Sequence, residues 1–317
     1  MSVQWGLISG QSRRPQPPHS GRSHALRVEL QRLLIVRPSS LAVIGLGAIG
    51  GSLAWQSRLA GVDRVVGFSP SRGEGVAALR ASAISEFADS PAKAVRGADL
   101  VVLAVPPGPT LDLIARLARS VEPGAMVTDV CSLKAPVMAR AAGAGLGDRF
   151  AGSHPLAGTH DSGFGAARPD RLRGCVVYVC ESASTEGSQA ARRVMRFWED
   201  VLEAQPVLID AAAHDRQLAW TSHLPQAVAF ALAKALADRG LGGVSYGSGA
   251  RDTTRLAASS PEMWLDILLQ NREPLVEALS GVESGLAELR RFIEAGDRQA
   301  LERYLETARE FRRGLDR

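Results

Sequence analysis

Several short stretches of this chain gather side chains that can move a proton or hold an anion. TDVCSLK carries Ser132 and Lys134, GSHPLAG carries His154, the pair His214–Asp215 precedes SHLPQ with His223, and RDTTR supplies Arg251 and Arg255. A histidine, with an ordinary pKa of about 6.5, accepts a proton near neutral pH. A serine hydroxyl adds an orienting hydrogen bond, and an arginine holds a carboxylate through parallel N–H donors. One base with cationic anchors suits removal of a proton from the alcohol of an anionic molecule. His154 lies between Gly152, Pro155 and Gly158 with no helical or strand period around it, so it reads as a loop residue that a ligand can approach closely. No metal is expected, because HExxH is absent and Cys131, Cys175 and Cys180 are unevenly spaced.

These residues need a framework, and the apolar pattern predicts one. Short runs rich in valine, isoleucine and leucine recur between helical stretches at 41–45, 64–68, 99–105, 125–130, 149–153, 175–180 and 206–210, the signature of a parallel α/β sheet. After the first run, Gly45, Gly47 and Gly50 form G-x-G-x-x-G at the start of a helix, a dinucleotide fingerprint in its proper setting. The expected cofactor contacts are Gly45, Leu46, Gly47, Ala48, Ile49 and Gly50, with Val105 and Pro106 after the third run. At the end of the second run an NAD site usually has a carboxylate on the ribose 2′-hydroxyl, whereas here Ser69 stands there with Arg72 close behind. NAD(P)+ is therefore the expected cofactor, with NADP+ favoured. Ser132, Lys134 and His154 follow strand ends, where ligands of open α/β sheets lie.

Beyond residue 210 the strand signal stops and long helices follow. Pro225 cannot donate to Thr221, so the helix should kink beside His223. In a straight helix His214 and His223 would face opposite ways. Leu218, Trp220, Leu224, Val228, Phe230, Leu232 and Leu236 spread over several faces, which calls for cover by a second copy. The expectation is a domain at 39–209 of Rossmann type and a helical substrate and dimerisation domain at 210–317.

Composition excludes other classes. With 45% hydrophobic and 22% charged residues over 317, the chain is ordinary globular material. Its net charge of +4 does not indicate nucleic acid, because residues 1–38 alone hold six arginines against one glutamate. That Pro/Ser-rich segment reads as a disordered basic extension. No apolar run suits a membrane span and the first residues do not suit a signal peptide, so a cytoplasmic protein is expected.

GLGAIGGSLA, DVCSLK, GSHPLAG, HD at 214–215, SHLPQ and RDTTRLA occur together in the order seen in the prephenate/arogenate dehydrogenase family, which this sequence resembles over roughly residues 41–310. The resemblance implies a nucleotide-binding domain and a helical dimerisation domain with the active site between them. It makes His154 the catalytic histidine, Ser132 the hydroxyl near nicotinamide and substrate, and His223 with Arg255 the substrate-binding pair. Lys134, Arg251 and His214 are further candidates for substrate contact. Prephenate and arogenate stay open as substrates. The sequence departs from the family pattern at Ser69, at Gln226 in place of a second histidine, and at Ala250 in place of an aromatic residue. A β-hydroxyacid dehydrogenase would lack GSHPLAG, and a non-catalytic NAD(P) sensor would have no use for Ser132, His154 and Arg255 together.

Overall fold

The computed structural model describes residues 37–158, 161–240 and 244–315. All but the last two residues of the expected basic extension lie outside them. Strands β1 (Ser40–Ile44), β2 (Arg64–Phe68), β3 (Glu86–Phe87), β4 (Leu100–Leu103), β5 (Met126–Asp129), β6 (Phe150–Pro155), β7 (Val176–Cys180) and β8 (Gln205–Leu208) form one sheet, ordered β3-β2-β1-β4-β5-β6-β7-β8. The order reverses beside β1, which opens a crevice at the carboxyl ends of β1 and β4.

Helices α1 (Ala48–Leu59), α2 (Arg72–Arg80), α3 (Pro91–Ala94), α4 (Pro107–Leu117) and α5 (Ala135–Gly143) alternate with the first strands, and α6 (Thr185–Arg196) joins β7 to β8. Alternate residues of β1 enter opposite cores. Leu41 and Val43 pack with Leu53, Val65 and Trp198 on one face, and Ala42 and Ile44 with Val101, Ile114 and Phe150 on the other. A strand buried on both faces reads as an unbroken apolar run, which is why β1, β2 and β4 were visible in the sequence.

Two features depart from expectation. The sheet is not wholly parallel: β7 runs antiparallel to β6, and the described residues between them hold only the short 3-10 turn Phe164–Ala166 in place of a crossover helix. The two-residue β3, pairing with β2, gave no apolar signal.

The remaining chain is helical: α7 (Ala211–Leu218), α8 (Leu224–Asp238), α9 (Ser248–Thr254), α10 (Pro261–Gln270), α11 (Arg272–Ala295) and α12 (Arg298–Gly314). Between α7 and α8 the chain makes a π turn over Ala219–His223, with Pro225 in the first turn of α8. The widened turn is the local answer to the donor that proline lacks, and it changes the helix phase between His214 and His223. Among the described residues no helix is long and apolar enough to cross a membrane.

The helical layer is braced on the sheet layer by two carboxylates. Asp215 of α7 accepts the main-chain N–H groups of Lys134 and Ala135 at the start of α5, both at 2.8 Å. Asp266 of α10 accepts that of Gly108 in the first turn of α4 at 3.0 Å. Each satisfies amides that a helix N-terminus leaves without partners, and each adds negative charge where the helix dipole favours it. Leu133, Trp264 and Ile267 close an apolar cluster at the same seam.

Candidate active site

The glycine loop is built for close approach. Gly45 has φ +106°, and a Cβ there would lie 2.1 Å from the Ala104 carbonyl oxygen. A Cβ on Gly50 would lie 2.0 Å from the Gly45 carbonyl oxygen, so α1 can pack this tightly only without side chains. Gly47, by contrast, faces open space at the α1 N-terminus, which carries no side-chain cap and no acidic residue in its first turn. Such a cradle of free amides fits the pyrophosphate of a dinucleotide. Ala48 and Ile49 are partly exposed beside it, while the Leu46 side chain is buried in the core and leaves only its main chain for a ligand. Val105 and Pro106 lie across the crevice, at the end of β4.

At the end of β2 the absence of a carboxylate inferred from sequence does not hold. Ser69 is buried, accepts the Ser71 N–H at 3.1 Å and donates to Glu74 at 2.5 Å. Arg72 is exposed and makes no hydrogen bond or ion pair among the described residues.

His154 is the fifth residue of β6 rather than a loop residue beyond it, paired in register with Tyr178. Only the last strand positions before the turn alternate too briefly to show a period. Its neighbour Ser153 is fastened on every side. The Ser153 hydroxyl accepts the Trp198 indole N–H at 3.0 Å and bonds to Thr128 at 2.8 Å. Its N–H donates to Asp129 at 3.1 Å, and its carbonyl accepts Lys134 Nζ at 2.7 Å.

Behind His154 runs a chain of hydrogen bonds: His154 Nδ1 to His214 Nε2 at 2.9 Å, and His214 Nδ1 to Asp215 Oδ1 at 2.7 Å. A carboxylate only accepts, so His214 carries its proton on Nδ1 and, as the neutral ring, accepts on Nε2. His154 therefore donates from Nδ1 and keeps a lone pair on Nε2. Desolvation of the ring, with His214, Lys134 and His223 nearby, holds the His154 pKa well below the usual histidine value. The result is a neutral base of fixed tautomer.

Two candidates for substrate contact take other places. His214 is fully buried with both nitrogens engaged, so it stands behind the base. Lys134 is fully buried in an ion pair with Asp129, whose carboxylate also accepts the Cys131 N–H and thiol. Burial alone would lower the lysine pKa, but the Asp129 carboxylate, together with the nearby Cys131 and Cys180 sulfurs, raises it. Its charge is spent inside the fold.

His223 is also buried. Asn271 donates one amide N–H to the Asp215 carbonyl at 2.8 Å and the other to His223 Nδ1 at 2.9 Å. Through Asn271 the π turn thus brings both histidines into one network. His223 Nε2–H is left without a partner, as is the indole N–H of Trp264, whose ring stands edge to face with His223 at 5.9 Å. Burial pushes the His223 pKa down to about 4, so at neutral pH the ring is uncharged and offers its Nε2–H as a donor.

Ser132 is partly exposed between β5 and α5, with no side-chain hydrogen bond among the described residues. Arg251 and Arg255 are exposed and likewise unengaged, at α9 and the turn Arg255–Ala258. Gln226, buried in α8, steadies that turn by donating to the Leu256 carbonyl at 2.6 Å. Sequence reasoning missed Asp129, Asn271, Trp264, Glu74 and Asp266. Only Asp129, in the stretch TDVCSLK, had a visible signal.

Comparison with known proteins places the chain in a family. Residues 53–205 match the family model described as prephenate dehydrogenase, nucleotide-binding domain, and 210–307 that described as prephenate dehydrogenase, dimerization domain. The chain is 32% identical to prephenate dehydrogenase of Bacillus subtilis over 289 residues, covering 87% of this chain and 76% of that protein. It is 32% identical to cyclohexadienyl dehydrogenase of Zymomonas mobilis over 273 residues, covering 81% and 89%. The crystal structure of prephenate dehydrogenase from Aquifex aeolicus, in complex with hydroxyphenyl propionate and NAD+, matches with a TM-score of 0.81 at 30% identity, covering 87% of this chain and 98% of that one. With these likenesses over most of its length, the chain belongs to the prephenate dehydrogenase family of NAD(P)-dependent oxidoreductases.

Proposed function

We propose that the protein oxidises and decarboxylates prephenate to 4-hydroxyphenylpyruvate in tyrosine biosynthesis, with His154 as the base. The observation that carries this reading is the chain from His154 through His214 to Asp215, which leaves an unprotonated nitrogen at the strand ends. The bound nicotinamide supplies the acceptor for hydride from the carbinol carbon. His154 Nε2 takes the hydroxyl proton as that hydride leaves. The ring carboxylate departs as carbon dioxide, its electron pair makes the ring aromatic, and His154 returns the proton to the phenolate oxygen. Asp215, one ring away, stabilises the positive charge while His154 holds the proton. Ser132 supplies a hydrogen bond beside the reacting hydroxyl, the free Nε2–H of His223 donates to the substrate, and Arg255 anchors a carboxylate. Arg251 stands one helical turn away as a second cation.

The hydroxyphenyl propionate bound by the Aquifex aeolicus relative, a phenolic acid, supports this choice of substrate. The likeness to a cyclohexadienyl dehydrogenase favours arogenate as the alternative. Absorbance at 340 nm with each substrate and each of NAD+ and NADP+ tests both. Prephenate should give reduced cofactor, and turnover of arogenate alone would overturn the reading. Of the two cofactors, exposed Arg72 supports NADP+ and the Ser69–Glu74 pair supports NAD+. The second weighs more, because its position is fixed by hydrogen bonds.

The reading includes a homodimer joined through residues 211–317 and a cytoplasmic setting, the latter in keeping with three free cysteines. Leu265, Leu269, Ile293 and Phe311 of the helical layer are exposed in the single chain, at 58%, 62%, 61% and 71%. So much apolar surface on adjoining helices is what a second copy would cover. Light scattering at micromolar concentration should give twice the mass of the chain, and a stable monomer would refute the dimer.

A further inference from the structure

We propose that Glu74 makes this enzyme select NAD+ over NADP+, an inference that rests on the dehydrogenase reading above. The residue that usually makes this choice stands at the end of the second strand, where this chain has Ser69. Ser69 cannot act alone. Its hydroxyl proton is given to Glu74 Oε2 at 2.5 Å, and one lone pair is taken by the Ser71 N–H. What the pair offers at this position is therefore a carboxylate, carried in from the first turn of α2 and held against the strand end.

Three observations fix that carboxylate. The Glu74 N–H is capped by the Ser71 hydroxyl at 3.4 Å, which sets the helical turn that Glu74 springs from. Its other oxygen, Oε1, takes no part in the bond to Ser69 and lies toward Gly163, where a Cβ would come within 3.3 Å of it. The end of β2 abuts the cofactor loop, since Gly45 donates to the Phe68 carbonyl at 2.8 Å. A ribose joined to a pyrophosphate on that loop has its hydroxyls beside Ser69 and Glu74. Hydroxyls can donate to the carboxylate, whereas a 2′-phosphate brings about two negative charges to a site where an anion already occupies the helix N-terminus. Arg72, exposed and unengaged, does not neutralise Glu74.

Isothermal titration of the purified protein with NAD+ and with NADP+, without substrate, tests this. Wild type should bind NAD+ at least tenfold more tightly. Glu74→Gln keeps the hydrogen bond to Ser69 and removes the charge, so the ratio of dissociation constants should move at least tenfold toward NADP+. A wild type that binds NADP+ as tightly as NAD+ would overturn the proposal without any variant. So would a Glu74→Gln protein, folded by its melting temperature, with the wild-type ratio: Glu74 would then only complete the cap of α2. Binding of neither nucleotide would instead overturn the dehydrogenase reading itself.

Discussion

His154→Asn is expected to lower kcat by roughly 10²–10⁴ with little change in KM. Asparagine is of similar size and can still donate toward His214, but it has no ring nitrogen to accept the substrate proton. The pH profile adds a signature that a merely structural histidine would lack. Because the His154 pKa lies well below its usual value, the base stays unprotonated at neutral pH. Activity of the wild type should therefore persist below about pH 6.5 and be lost only as the pH falls through the depressed pKa. That acid limb of kcat/KM should vanish in His154→Asn. Cofactor affinity, measured by titration, should hold in the variant, since the glycine loop is untouched. Turnover near the wild-type rate would make His154 a structural residue of β6.

The second large effect is on stability. Lys134→Met should destabilise the fold by about 3–5 kcal/mol, because it leaves the Asp129 carboxylate buried without its cation. Three donors remain to Asp129: the Ser153 N–H, the Cys131 N–H and the Cys131 thiol. They are arranged for a carboxylate and do not neutralise one. Adding Asp129→Asn removes the stranded charge and should restore a large part of the loss, a coupling that a double-mutant cycle reads directly. Urea unfolding at a single protein concentration is the measurement. A Lys134→Met protein as stable as wild type would mean that the pair is dispensable.

The two residues differ in how far sequence could foretell them. His154 and its neighbours are legible as a local string, and the strands behind them as apolar runs. Lys134 is equally visible, but a lysine after a strand reads as a free cation. Its role depends on Asp129, five residues back, and on the Ser153 carbonyl of the next strand. His214 likewise looks like a ligand contact until β6 brings His154 against it. From sequence Ser69 reads as a strand end without a carboxylate, because its partner Glu74 belongs to the following helix, where a strand-end rule does not look. That Pro225 would disturb the helix was predictable, but not that the disturbance would be a π turn, nor that Asn271 would bridge its two sides. In each case identity and order were plain, and pairing across elements was not.

The carboxylates of Asp215 and Asp266 bear on how this chain could be divided. Each sits in the helical layer yet completes a helix of the sheet layer, so the seam between β8 and α7 is a boundary in sequence and not in bonding. A sheet fragment made alone would begin α5 with two unpaired amides and α4 with one, and its His154 would lose the ring that sets its tautomer. The helical fragment would expose the buried His214. Parting the two layers would therefore leave these helix ends to water, at about 0.5–2 kcal/mol for each lost cap, and would take from His154 the partner that fixes its tautomer.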